Sequence, residues 1–105
     1  MIKLTVLYGH PASAEAFEKY YAETHMPIAA QMQDVRRLEL AKIVGAPDGG
    51  RAPYYRMADL YFDDVDHMNR VLATPEAQKT VADLSNFATG GVTIMVAEVQ
   101  EPRPS

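Results

Sequence analysis

Cysteine is absent from the chain. Disulfides, thiolate nucleophiles and cysteine metal sites are therefore excluded, which agrees with a reducing compartment. Basic charge is scarce: 10 Lys and Arg stand against 14 Asp and Glu, for a net charge of -4. The longest basic cluster, Arg36-Arg37, is too short to follow a phosphate backbone, so nucleic acid is not an expected partner. No apolar run approaches the ~20 residues of a membrane span. The opening Met1-Ile2-Lys3-Leu4-Thr5-Val6 reads as a strand and lacks the charged lead and small-residue cleavage site of a secretory signal. The expectation is a soluble cytoplasmic protein. His10, His25 and His67 show no metal-ligand spacing, so no structural metal is expected. No cofactor is expected either, since nothing positive supports a haem on His25. The segment Gly45 to Gly50 lacks the lysine of a phosphate-binding loop. Ser13 and Ser85 lack the elbow motif of a hydrolase nucleophile.

What the chain does have is a globular composition, 48% hydrophobic over 105 residues, enough for one domain. That domain is expected over residues 1–100, followed by a loose tail, 101–105, that contains Pro102 and Pro104. Ile2, Leu4, Val6 and Tyr8 alternate with Lys3, Thr5 and Leu7, which predicts a first strand. Ser13 is placed to cap a helix whose apolar face carries Phe17, Tyr21 and Thr24. Pro27 disfavours helical geometry at Met26, so this helix is expected to end or kink near His25. A second strand is predicted from Val35 to Val44, a glycine loop from Gly45 to Gly50, and a third strand from Tyr54 to Phe62. Asp63 or Asp64 can cap the next helix, with Val65, Met68, Val71 and Leu72 as its apolar positions. Thr74-Pro75-Glu76 signals another helix start. Gly90-Gly91 breaks that helix, and Val92, Ile94 and Val96 form the last strand.

The order βαββαβ predicts an α+β, ferredoxin-like fold: one antiparallel sheet with helices on one face. The uncovered face, expected to carry Thr5, Leu7, Met95 and Val99, needs cover. A second copy of the chain supplies it, giving a homodimer that closes a small barrel. A cavity between the two sheets is then the natural place for a small ligand.

The segment Tyr20-Tyr21-Ala22-Glu23-Thr24-His25-Met26-Pro27-Ile28 resembles the signature of the EthD family, small dimeric α+β barrel proteins. There an aromatic-rich helix ends in a histidine followed by x-Pro and an aliphatic residue. The opening strand Met1 to Tyr8, the stretch Tyr61-Phe62-Asp63-Asp64 and the stretch Asp83-Leu84-Ser85-Asn86-Phe87 resemble the same family in the same order, so the likeness runs to about Val99. The resemblance implies the barrel fold and the dimer. The family is named after a protein needed for bacterial degradation of ethyl tert-butyl ether. Similar barrels include muconolactone-type isomerases and cofactor-free monooxygenases. Without cysteine, a cysteine-assisted mechanism is out of reach here.

His25 has two readings. An imidazole titrates near ~6.5 and can serve as general acid or base; equally, a histidine at a helix C-terminus can serve as a dipole-stabilising cap. Tyr21, four residues earlier, lies on the same helical face and is its expected catalytic companion. Tyr20, Tyr61, Asp83, Asn86 and Phe87 are the expected ligand-binding residues, with Tyr54 and Tyr55 as further aromatic candidates. Asp83 and Asn86 also fit a plain solvated helix end. His10 and His67 are expected to be unremarkable, His67 facing water. Three functions follow: a cofactor-independent isomerase, cyclase or monooxygenase-like enzyme on a small hydrophobic or aromatic molecule; a non-catalytic binding or accessory protein of a degradation pathway; or a bare dimerisation module. A concave pocket in which His25 has a polar partner separates the first from the others.

Overall fold

The computed structural model describes residues 1–101; the expected tail lies outside the described residues from 102 onward. Strands β1 (Ile2–Tyr8), β2 (Arg37–Lys42), β3 (Arg56–Phe62) and β4 (Val92–Glu98) alternate with helices α1 (Ala14–Tyr20), α2 (Met26–Ala29), α3 (Val65–Leu72) and α4 (Pro75–Asp83). The sheet order is β2-β3-β1-β4, antiparallel throughout. The α+β, ferredoxin-like expectation therefore holds. Among the described residues no helix is long and apolar enough to cross a membrane.

The register places Leu40, Ala58, Val6 and Ile94 in one row across the sheet, and Leu38, Leu60, Leu4 and Val96 in the next. Residues of this parity face the helices. In the two central strands they are buried, with Phe62 fully so, which stabilises the fold by roughly 1.5–3 kcal/mol for a side chain of this size. The opposite face carries a different chemistry. The Thr5 hydroxyl donates to Asp59 Oδ1 at 2.5 Å, Lys3 Nζ stands 3.8 Å from Asp59 Oδ2, and the Tyr61 phenol donates to Glu39 Oε1 at 2.5 Å.

The helices start where short polar side chains predict. Ser13 Oγ accepts from the Ala16 N–H, Asp64 Oδ1 from the His67 N–H, and Thr74 Oγ1 from the Ala77 N–H. Each such cap contributes about 0.5–2 kcal/mol. Pro27 does not take Met26 out of helical geometry, and the helical path does not end near His25. Met26 keeps helical dihedrals, and α1 runs into α2 through one π-helical turn, Tyr21–His25, closed by the Met26 N–H on the Tyr21 carbonyl. Pro27 then falls in the first turn of α2, where a missing N–H costs little. The widened turn leaves both Tyr21 and His25 buried against the core. A second departure concerns His67. It is buried rather than facing water; its Nδ1 accepts from the Asp63 N–H at 3.0 Å, and its ring meets Phe62 edge-on.

Three glycines, Gly9, Gly90 and Gly91, bring the end of β1 and the start of β4 together. The Gly9 N–H donates to the Gly91 carbonyl. A Cβ on Gly90 would lie 2.3 Å from the His10 carbonyl oxygen and 2.6 Å from the Gly9 carbonyl carbon. No rotamer relieves such a backbone clash. Gly90→Ala is therefore expected to destabilise the protein by about 1–3 kcal/mol. The measurement is a shift of the chemical-denaturation midpoint at unchanged slope, and an unshifted midpoint would show that the contact is loose.

Candidate functional site

The π-helical turn sets the geometry of the site. It places Tyr21 and His25 over the centre of the sheet, with their rings stacked at 5.8 Å and 19° between planes. The 3₁₀ turn Leu84–Asn86 follows α4 directly and delivers Asp83, Asn86 and Phe87 to the same place. His25 Nδ1 lies 2.9 Å from Asp83 Oδ2, both side chains being buried. Asp83 Oδ1 accepts from the Tyr20 hydroxyl at 2.6 Å and from the Asn86 amide at 2.9 Å. Phe87 packs against the His25 ring at 4.6 Å and stacks on Tyr20.

Burial disfavours the charge on Asp83, but the hydrogen bonds from Tyr20, Asn86 and His25 outweigh it and hold the carboxyl below its ordinary value. The group is a carboxylate at neutral pH and can only accept hydrogen bonds. His25 must then carry its proton on Nδ1, so in the neutral ring the Nε2 lone pair is free. This arrangement replaces the helix-cap reading, because the imidazole is tied to a carboxylate of another element. The solvated reading of Asp83 falls with it.

His25 and Tyr21 line a cavity of about 60 Å³ between the sheet and the helices. Its floor is the row Leu40, Ala58, Val6 and Ile94, where the small side chain of Ala58 leaves room. Its roof includes Met26, Ala29 and Leu84, and the half-exposed side chains of Leu38, Leu40, Val81 and Ile94 lie near its opening. This cavity lies under the helices, between the sheet and the segments that carry His25, Met26, Ala29, Val81 and Leu84. Among the described residues there is no group of three or more metal-ligating side chains.

Of the expected site residues, Tyr20, Tyr21, His25, Asp83, Asn86 and Phe87 form one constellation. Tyr61 does not join it. Its odd position in the β3 register puts it on the opposite face of the sheet, hydrogen-bonded to Glu39. Tyr55 packs its ring on Phe17. Two residues were not anticipated. Tyr8 closes the end of the cavity and meets Tyr21 edge-on at 5.8 Å. Arg56, its register neighbour, holds its guanidinium 4.7 Å from the Tyr21 ring centre and is fixed there by two hydrogen bonds to Glu18. The signal for Tyr8 was present: it shares the parity of Leu4 and Val6.

Comparison with known proteins agrees with this layout. The sequence model of the EthD domain matches residues 9–91. An uncharacterised 11.0 kDa protein from the thcB–thcC intergenic region of Rhodococcus erythropolis is 35% identical over 104 residues, covering 99% of this chain and 100% of its own. The crystal structure of an EthD family protein from Bacillus halodurans C-125 superposes with a TM-score of 0.89 at 31% identity, covering 95% of this chain and 99% of that one. Two more distant structures share the fold alone. One is a dimeric ferredoxin-like protein of unknown function from Bacteroides fragilis, with a TM-score of 0.66 at 14% identity and coverage of 93% and 95%. The other is SnoaB, a cofactor-independent oxygenase from Streptomyces nogalater, with a TM-score of 0.62 at 20% identity and coverage of 99% and 96%. With the EthD domain matched over residues 9–91 and a 35% identical relative that covers 99% of it, the chain belongs to the EthD family.

Proposed function

We propose that this protein is a homodimeric, cofactor-independent cytoplasmic enzyme that acts on a small hydrophobic organic molecule, with His25 as general acid–base. The observation that carries the reading is His25 on the wall of an apolar cavity, with Asp83 hydrogen-bonded behind it. A pocket built only to hold a hydrophobic ligand needs no buried carboxylate behind a histidine, whereas a general base gains from one that fixes its tautomer and orientation. A bare dimerisation module needs no cavity. The fold is shared with a cofactor-independent oxygenase, so cofactor-free chemistry is compatible with this scaffold; fold alone does not assign it.

The dimer is part of the proposal. Strand β4 is a sheet edge rich in Val, Ile and Met, and Val92, Ile94, Met95 and Val96 are all substantially exposed. An unpaired apolar edge of this kind promotes association unless a partner covers it. Native mass spectrometry is expected to show a species of twice the chain mass that releases a small hydrophobic compound on activation. A stable monomer at micromolar concentration in sedimentation would remove the dimer from the proposal.

A further inference from the structure

Two phenols share the cavity lining with the imidazole. Among the described residues, no hydrogen bond engages the phenol oxygens of Tyr8 and Tyr21 or the Nε2 of His25. All three residues line the same cavity. The other polar lining side chain, Thr80, already donates to the Glu76 carbonyl at 2.9 Å. The rest of the lining is apolar. An otherwise apolar pocket lined by three side chains with uncommitted polar atoms defines its ligand by complementarity.

The protonation states give that complementarity a direction. Burial pushes the Tyr8 phenol well above its ordinary value. It raises Tyr21 as well, against the opposing influence of Arg56. Both phenols stay protonated at neutral pH and act as donors. Nε2, with its lone pair free, is an acceptor. The ligand therefore needs one oxygen that accepts two hydrogen bonds and an acidic hydrogen close to it, on an otherwise apolar body. The Arg56 charge over the Tyr21 ring stabilises electron density on that phenol, which makes its O–H a stronger donor.

We propose that the cavity takes an enolisable carbonyl compound, with the phenols of Tyr8 and Tyr21 donating to its oxygen while His25 Nε2 removes the proton from the adjacent carbon. This rests on the acid–base reading of His25. As the C–H bond breaks, its electron pair forms the carbon–carbon double bond and the carbonyl π pair moves to oxygen. The enolate oxygen accepts from both phenols, and the imidazolium returns the proton to a carbon of the same molecule. Nothing is oxidised or reduced, and no co-reactant is consumed. Donors aimed at a developing oxyanion in a water-poor site are the most effective kind of stabilisation. With about 60 Å³ available, the carbonyl end enters and the remainder lies along Leu38, Leu40 and Ile94.

Two arms test the proposal on the intact protein. In the first, 4-nitrophenol stands in for the enolate and 4-nitrotoluene for the same shape without the oxygen. The wild type is expected to bind the nitrophenolate at least about 10-fold more tightly than the toluene, and Tyr8→Phe and Tyr21→Phe are each expected to remove about 10-fold of that preference. These substitutions delete one oxygen and keep the ring, so the fold is retained. In the second arm, cyclopentanone in D₂O is followed by proton NMR. The wild type is expected to accelerate exchange next to the carbonyl, His25→Gln to abolish it, and the phenylalanine variants to slow it. If nitrophenol does not bind, or if its preference survives both phenylalanine substitutions, the oxygen clamp is overturned while the base reading stands on exchange alone. A phenol-dependent preference with no exchange in the wild type keeps the clamp and overturns the base.

Discussion

His25→Gln is expected to lower the turnover of any compound the wild-type protein converts by about 10²–10⁴-fold, the range that a positioned general acid or base contributes. Glutamine occupies a similar volume and can still hydrogen-bond Asp83 through its amide, so the packing of Phe87 and Tyr21 around the position is preserved. What it loses is the titratable nitrogen. The measurement is kcat alongside sedimentation of the variant: a folded dimer with normal turnover would make His25 structural, and the accessory-binder reading would replace the enzyme. His25→Ala is the coarser comparison. It also opens a void beside Phe87 and so mixes packing with chemistry.

Asp83→Asn is expected to be as damaging, for a reason that lies in the hydrogen-bond directions. Tyr20 and Asn86 both donate to Oδ1, while His25 meets Oδ2. In the variant, two donors claim the single amide oxygen, so the amide nitrogen faces His25. An NH₂ group cannot accept from Nδ1–H, so the imidazole is forced into the other tautomer, with the proton on Nε2. The base then points a hydrogen instead of a lone pair into the cavity. The same acid-to-amide change behind the histidine of serine proteases costs about 10⁴-fold, and a loss of about 10²–10⁴-fold in kcat is expected here. Imidazole ¹⁵N NMR should report the exchange of tautomers directly; an unchanged tautomer together with full activity would remove Asp83 from the mechanism. The variant also carries a pH signature. A carboxyl held below its ordinary value adds stability that is fully present above ~3.9 and is lost as pH falls through the lowered folded value. Asp83→Asn should flatten that part of the acid-denaturation curve.

Much of the architecture was legible in the chain itself. Alternation in Ile2, Leu4, Val6 and Tyr8 marked β1 because a strand repeats every two residues. Ser13, Asp64 and Thr74 marked helix starts because their short side chains reach backbone N–H groups that the first turn leaves unpaired. The family likeness around His25 and around Asp83 to Phe87 named most of the site. These are local properties, each set by a few consecutive residues. Other features depended on which elements dock together. The bond between His25 and Asp83 joins residues 58 positions apart, and only the packing of α4 beside α2 makes it. Parity separated Tyr61 from Tyr8, but which face the helices would cover was a question of tertiary packing. His67 looked solvated beside Asp66 and Asn69 and is instead turned onto Phe62. Pro27 promised an end or kink near His25, yet the chain stays helical through a π turn that keeps Tyr21 and His25 in the core. Local patterns along the chain set the elements, their order and the candidate chemistry; the location of the cavity, and which polar side chains line it, were decided by the docking of helices onto the sheet, since close packing selects one arrangement of side chains that local periodicity leaves open.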